Sequence, residues 1–99
     1  MSIQAKNVNH PGYQEPLNEQ KYTLIRDAIL GVVPAEGGIT FQELETEVTA
    51  HLKRTKAPME LFPKPGSVRW YCKVVQLDLE ARELIERVPG KVPLQIRKR

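Results

Sequence analysis

A chain of 99 residues, 40% hydrophobic and 27% charged, has the composition of one small globular domain, too short to spare its core for a deep catalytic cavity. It has no apolar run near the roughly 20 residues that span a bilayer, and its first residues lack the apolar centre of a secretory signal. The single cysteine, Cys72, cannot form an internal disulfide and argues against a structural zinc site. We therefore expect a cytoplasmic protein that has no cofactor, does not bind membranes and is not an enzyme.

Charge is divided unevenly along the chain, although the net charge is only +3. Residues 1–52 carry three basic and seven acidic side chains, a balance of −4, whereas residues 53–99 carry twelve basic and five acidic side chains, a balance of +7. A basic half of this kind suggests an anionic partner. The plainer explanation is that these side chains only keep the surface soluble.

The first segment, residues 1–17, is predicted to be an irregular arm, because Asn7 to Gly12 has turn chemistry and Pro16 marks a further break. Residues 18–99 then form the folded domain. Asn18 is the predicted N-cap of a first helix that ends near Val33. The buried face of this helix is predicted from apolar residues at three- and four-residue steps: Tyr22, Ile25, Ile29 and Val32.

A second helix has the clearest start signal in the chain. Thr40 and Glu43 have the spacing of a capping box, in which each side chain accepts a hydrogen bond from the backbone N–H of the other residue. Gly38 and Ile39, just before the cap, are predicted to form a very short strand. The inner face of the helix is predicted to carry Phe41, Leu44, Val48 and Leu52.

A loop rich in Lys and Pro, residues 53–66, follows, and its apolar residues are expected to fold back onto the core as one helical turn. Ser67 is the predicted cap of a third helix that ends near Glu83. Trp70, Tyr71 and Cys72 are predicted to be core residues of this helix, with Cys72 an inert thiol. At 100° per residue, its polar residues fall within a sector of about 80°. This polar strip consists of Arg69, Lys73, Gln76, Glu80 and Glu83.

The end of the chain is predicted to be a β-hairpin. Residues 84–88 lead into the turn Pro89-Gly90, and residues 93–97 return with alternating apolar residues. Leu94 and Ile96 are expected to face the core, and Gln95 and Arg97 to face outward.

The order helix, short strand, helix, helix, strand, turn, strand resembles the winged helix-turn-helix superfamily over roughly residues 18–99. The stretch from Val75 to Arg87 is similar to the third helix of that superfamily and its run into the wing. The resemblance implies a mainly helical α+β fold of three helices plus a C-terminal β-hairpin wing. Two features depart from it: the loop over residues 53–66 exceeds the usual 3–4 residues, and the Pro-Gly wing turn is short.

The whole chain also resembles a family of small bacterial proteins of unknown function. The residues that carry this resemblance are Asn9-His10-Pro11-Gly12-Tyr13, Leu61-Phe62-Pro63, and Trp70 through Leu79 followed by a short wing. That family has no established activity, so the resemblance supports the fold and does not indicate a function.

The candidate binding residues follow from the polar strip of the third helix, which begins basic and ends acidic. A recognition helix presents its N-terminal residues to the major groove of DNA. Arg69 is the candidate for a bidentate contact to guanine, and Lys73 and Gln76 are candidates for nearby base edges or phosphates. The alternative is that Arg69 and Lys73 are solvated or paired with glutamates. Further cations that can bind backbone phosphates are Lys53, Arg54, Lys56, Lys64, Lys91, Arg97, Lys98 and Arg99.

Two hypotheses of different class remain at this point. The first is a winged-helix regulatory protein that binds nucleic acid, with double-stranded DNA as the expected partner. The second is a protein–protein interaction module that uses the same fold without contacting nucleic acid and exposes Met59, Leu61 and Phe62 as a partner patch. The sequence leaves the oligomeric state open, because it has no heptad pattern.

Overall fold

The computed structural model describes residues 2–6, 14–64 and 66–99. Three α-helices form most of the fold: α1 (Glu19–Val32), α2 (Phe41–Arg54) and α3 (Ser67–Ala81). The strands are β1 (Ser2–Lys6), β2 (Gln14–Asn18), β3 (Ile39–Thr40), β4 (Ile85–Arg87) and β5 (Gln95–Lys98). The predicted fold class, mainly helical α+β with three helices and a C-terminal hairpin, is confirmed. The order from α1 to β5 is compatible with a winged-helix layout.

The three later strands form one small antiparallel sheet in the order β3-β5-β4. Ile39 of β3 lies opposite Ile96 of β5, and Glu86 of β4 lies opposite Arg97 of β5. Ile96 is buried whereas Arg97 is partly exposed, which follows the predicted alternation. The sheet therefore ties the segment before α2 to the end of the chain.

The prediction of an irregular arm over residues 1–17 is wrong for two segments. Strands β1 and β2 pair as an antiparallel hairpin with Ser2 opposite Asn18 and Lys6 opposite Gln14. Both strands of a two-stranded ribbon are edges, so Pro16 is tolerated despite its missing N–H. Strand β1 lies against α3. The predicted turn over Asn7 to Gly12 and the motif from Asn9 to Tyr13 lie outside the described residues.

The core lies between the three helices and the inner face of the sheet. The predicted buried faces of α1 and α2 are confirmed at most positions, with Phe41 and Val32 only half-buried. In the described part of the chain, no helix combines the length and apolar character needed to cross a membrane. The buried apolar residues are Tyr22, Ile25, Ala28, Ile29, Val33, Leu44, Val48, Leu52, Phe62, Cys72, Val75, Leu77, Leu79, Ile85 and Ile96.

The helix starts are fixed by local hydrogen bonds, mostly as predicted. Asn18 Oδ1 accepts a hydrogen bond from the backbone N–H of Lys21 at 3.1 Å. The capping box is present, with Glu43 N donating to Thr40 Oγ1 at 3.2 Å and Thr40 N donating to Glu43 Oε1 at 3.0 Å. The prediction that Ser67 caps α3 is wrong. The N-cap is Gly66, whose φ of 81° lies in the left-handed region that glycine adopts without strain.

Helices α2 and α3 both end in a Schellman motif whose left-handed residue is charged. Lys56 (φ 56°) follows α2, and the N–H of Ala57 donates to the carbonyl of Leu52 at 2.9 Å. Glu83 (φ 66°) follows α3, and the N–H of Leu84 donates to the carbonyl of Leu79 at 3.0 Å. Each motif turns the chain sharply and ends its helix without glycine.

The loop between α2 and α3 contains one turn of 3-10 helix, Met59–Leu61, as predicted. Phe62 is buried, and Met59 and Leu61 are half-buried against the core. The loop is therefore anchored by its apolar residues, which leaves its lysines on the outside.

Replacing Thr40 with Ala removes the cap of α2 and is expected to lower the free energy of unfolding by about 1 kcal/mol. Thr46→Ala is the matched control, because Thr46 lies inside the same helix and its hydroxyl only donates to the carbonyl of Gln42. The control is expected to change stability by less than about 0.5 kcal/mol. Urea unfolding of both variants measures the difference, and equal losses would contradict the role of the cap.

Candidate nucleic-acid interface

Arg69 and Lys73 lie together on the first two turns of α3. Lys73 Nζ is 5.0 Å from the centre of the Phe41 ring, and Arg69 Cζ is 5.9 Å from the same centre. These cation–π contacts orient both side chains without neutralising their positive charges. Arg69 Nε is also 3.9 Å from Glu45 Oε1, but the Arg69 side chain remains 67% exposed. Arg69 is therefore not buried in an ion pair, and its guanidinium is accessible to a ligand.

Trp70 lies beside these two cations, and the prediction that it is a core residue is wrong. It is 46% exposed. On a helical wheel it lies about 60° from Lys73 and about 100° from Arg69, so the three residues share one sector. Helical periodicity places Trp70 next to the polar strip, but the prediction followed the general preference of tryptophan for burial. We call the surface formed by Arg69, Trp70 and Lys73 the cationic surface.

Trp70 packs against a row of aromatic rings formed by Tyr71 and Phe62. The Trp70 and Tyr71 rings meet edge to face, with centres 5.0 Å apart and planes at 78°. Tyr71 and Phe62 meet in the same way at 5.8 Å and 80°. Lys21, on α1, places its Nζ 5.7 Å from the centre of the Tyr71 ring. Sequence analysis did not identify Lys21, because only the fold brings α1 next to this row.

The proposed contact of Gln76 with nucleic acid is wrong. Gln76 is only 1% exposed, although it lies on the same side of α3 as Arg69. Its Nε2 donates to Glu80 Oε2 at 3.2 Å, and the carboxylate of Glu80 is paired with Arg87 on β4. The pairing of Glu80 with Arg87 places the C-terminal hairpin against this part of the polar strip. Glu80 is therefore buried, whereas Glu83 at the end of the strip is exposed.

A buried carboxylate, Asp78, anchors this enclosed half of α3. Tyr22 Oη donates a hydrogen bond to Asp78 Oδ2, and Arg82 Nε donates to both carboxylate oxygens at 3.0 and 2.9 Å. The Asp78 side chain is fully buried. Sequence analysis missed this network. The available signal was Tyr22, since a tyrosine on a buried helix face needs a partner for its hydroxyl.

The pKa values of two core side chains, Tyr22 and Cys72, are raised in the folded chain above their ordinary values. Burial, and then the hydrogen bond to Asp78, raise the pKa of Tyr22 to about 12. Burial raises the pKa of the Cys72 thiol to about 12, with a further contribution from the charge of Glu45. Cys72 is thus a buried protonated thiol, in agreement with its predicted role in packing.

The remaining predicted cations fall into separate groups. Lys53, Arg54, Lys56 and Lys64 are exposed around the loop that leads to α3. Lys91 and Lys98 are exposed on the C-terminal hairpin, whereas Arg97 Nε is paired with Glu86 Oε2 at 2.8 Å and Arg99 with Glu83 at 3.4 Å. The charge of these two arginines is therefore offset by a neighbouring carboxylate. Among the predicted binding residues, Arg69 and Lys73 are the pair whose cations contact the same aromatic ring, that of Phe41.

The long loop before α3 has a geometric reason. Arg69 approaches Glu45, in the first half of α2, whereas α2 ends at Arg54. At 1.5 Å per residue the chain has to travel back about 13 Å along α2 before α3 begins. A turn of 3–4 residues would have to be almost fully extended to cover that distance, whereas the longer loop covers it and also folds Phe62 into the core.

The chain matches a protein family over residues 2–96, and the family is described as "Family of unknown function (DUF6958)". The chain belongs to DUF6958. The match runs from β1 into β5, so the N-terminal hairpin of this DUF6958 chain lies within the family's span together with the three helices. No curated protein and no solved structure matches the chain. The predicted resemblance to a family of unknown function is confirmed.

The raised pKa values of Tyr22 and Cys72 predict how the DUF6958 chain loses stability in alkali. In the folded chain each pKa lies above its ordinary value, which is 10.0 for Tyr22 and 9.0 for Cys72. The stability that each protonated group contributes is therefore complete below its ordinary pKa and is lost as the pH rises towards about 12. We expect the free energy of unfolding to fall from about pH 9 upward.

Two variants separate these contributions. Cys72→Ala is expected to flatten the fall that begins near pH 9, and Tyr22→Phe the fall that begins near pH 10. Urea unfolding at a series of pH values measures both slopes. An unchanged slope in Tyr22→Phe would show that the fold does not raise the pKa of the Tyr22 phenol.

Proposed function

We propose that this protein binds nucleic acid, with double-stranded DNA as its first ligand, through the cationic surface at the start of α3. The observation that carries the proposal is that Arg69 and Lys73 lie together on successive turns and are both exposed. The role is that of a small regulatory binding protein of the winged-helix type, without catalysis.

The chemistry of the two cations suits different parts of a DNA ligand. The Arg69 guanidinium can form two parallel hydrogen bonds to the O6 and N7 atoms of guanine or to a phosphate. The Lys73 ammonium is a compact point charge suited to a phosphate oxygen. The exposed loop cations, Lys53, Arg54, Lys56 and Lys64, can follow the backbone on one side, and Lys91 and Lys98 of the hairpin can do so on the other.

The position of the cations along α3 also supports the proposal. Helices of the helix-turn-helix class present their first residues to the major groove. Here the first two turns of α3 expose Arg69, Trp70 and Lys73, whereas residues 75–80 are buried. Within α3 the base contact is therefore assigned to Arg69 and a phosphate contact to Lys73, without Gln76. The layout from α1 to β5, compatible with a winged helix, supports this reading by analogy.

The patch on which the protein-interaction hypothesis rested gives that alternative little support. Phe62 is 7% exposed, and Met59 and Leu61 pack against the core. A docking patch needs contiguous apolar surface that is open to solvent. Nucleic-acid binding is the hypothesis that the exposed side chains favour.

Titration of a labelled DNA duplex at several salt concentrations tests the proposal. Binding is expected to weaken steeply with salt, with a slope of about 0.9 for each phosphate neutralised. The double variant Arg69→Gln with Lys73→Gln is expected to weaken binding and to reduce the slope by about 0.9, since the phosphate contact of Lys73 is lost together with the base contact of Arg69. Its melting temperature should stay near that of the parent chain, because both side chains are exposed.

Arg26→Gln is the control for a general loss of charge. Arg26 is a cation of α1 that is paired with the neighbouring Asp27 at 3.0 Å and is not part of the cationic surface. Its removal should leave both affinity and slope close to the parent values, and Arg69→Gln alone is the matched single variant. Equal effects of Arg26→Gln and Arg69→Gln, or an affinity that does not depend on salt, would refute the proposed surface.

A further inference from the structure

We infer that the cationic surface prefers nucleic acid that offers an unpaired base, which stacks on the indole ring of Trp70. This inference rests on the proposed function and names the kind of ligand site within it. The observations that carry it are the exposure of Trp70, the ring row that holds it, and the cations on its flank.

Trp70 is held as the outer member of a row that runs from the core to the surface. Phe62 is buried, Tyr71 is half-buried and Trp70 is nearly half exposed. Each ring meets the next edge to face at 5.8 and 5.0 Å. The indole is thereby supported on one side by the fold and open to solvent on another. A ring positioned in this way loses little conformational entropy when it binds, which favours affinity.

Arg69 and Lys73, the two cations of the cationic surface, lie within one helical turn of the exposed indole. Lys73 lies one helical turn from Trp70, and Arg69 precedes it in the chain, with both side chains steered towards Phe41. Proteins that bind single strands combine such an aromatic platform with cations that contact the backbone. Stacking tolerates any base, because every base has a π face, so the inferred preference is for unpaired structure rather than for sequence.

The exposure of Trp70 does not fit an apolar docking patch for a protein. The other large exposed apolar residues in the described part of the chain are Leu84 and Val92. Leu84 lies beyond the opposite end of α3, which is about 16 Å from Trp70 along the helix axis, and Val92 lies in the C-terminal hairpin. Among the described residues, Trp70 therefore lies apart from the other large exposed apolar side chains and shares its sector of α3 with two cations, which suits a nucleotide better than an apolar protein surface.

A flush duplex gives the indole little to stack on, because its bases already stack on one another. An unpaired nucleotide presents a free π face at no such cost. Stacking of a base on an aromatic side chain changes affinity by about 5- to 150-fold when the ring is removed. The surface is therefore expected to bind an unpaired base more tightly than a flush duplex by a factor in this range.

The experiment compares three DNA probes with the full chain: a flush duplex, the same duplex with one unpaired nucleotide in its middle, and the single strand. Anisotropy of the labelled probe measures affinity. Emission of the protein reports stacking directly, because Trp70 is the single tryptophan of the chain. The parent protein is expected to bind the duplex with the unpaired nucleotide and the single strand more tightly than the flush duplex, with quenching of Trp70 emission.

Two variants of Trp70 distinguish the effect of its aromatic ring on binding from the effect of its apolar bulk. Trp70→Leu keeps an apolar side chain of good helix propensity but removes the π face, and is expected to bind all three probes with the affinity of the flush duplex. Trp70→Tyr keeps an aromatic ring and is expected to retain most of the preference. Because Trp70 is partly exposed, both variants should keep the fold, which circular dichroism and thermal unfolding verify.

The outcomes separate this inference from the proposed function. Equal affinity of the parent protein for all three probes, with binding still lost in Arg69→Gln with Lys73→Gln, would overturn the stacking inference and leave the proposed function intact. An equal loss in Trp70→Leu for all probes would also overturn it, because the indole would then be a general contact. Failure of the parent protein to bind any probe would remove the proposed function itself.

Discussion

The carboxylate of Asp78 is the constraint on which the arrangement of α3 depends. A buried carboxylate costs several kcal/mol in lost hydration, and the hydrogen bonds that Tyr22 and Arg82 donate to it offset this cost. These bonds fix α3 against α1 and hold the turn that follows the helix. A second enclosed carboxylate, Glu80, joins α3 to β4 through Arg87. Polar interactions therefore determine how the helix is oriented, while the apolar core supplies most of the favourable burial.

This anchoring divides α3 into two parts with different roles. In its second half Gln76, Asp78 and Glu80 are buried and hydrogen-bonded to groups inside the protein. Its first two turns also pack on the core through Cys72, but they leave Arg69, Trp70 and Lys73 at the surface. Only this first part is available to a ligand. The proposed function and the inferred stacking of a base both follow from this division, since they use only the exposed side chains.

Local interactions made much of the fold predictable from the sequence. The cap at Asn18 and the capping box at Thr40 depend on residues within one helical turn, so their spacing alone placed the starts of α1 and α2. Helical periodicity gave the correct direction of Gln76 around α3 but not its burial. That burial depends on strands which return from distant parts of the sequence. The prediction for Trp70 was wrong for a related reason. It relied on the general preference of tryptophan for burial, whereas the exposure of Trp70 depends on which elements cover the first turns of α3.

Chemical-shift mapping by NMR tests the division of α3 most directly. An isotopically labelled sample would be titrated with a DNA duplex that carries one unpaired nucleotide. We predict that the largest amide shifts fall on residues 67–73 and on the indole N–H of Trp70, with small shifts over residues 75–80. Shifts centred on residues of α1 and α2, or spread evenly over the basic residues of the whole surface, would contradict the assignment of the binding surface to the start of α3.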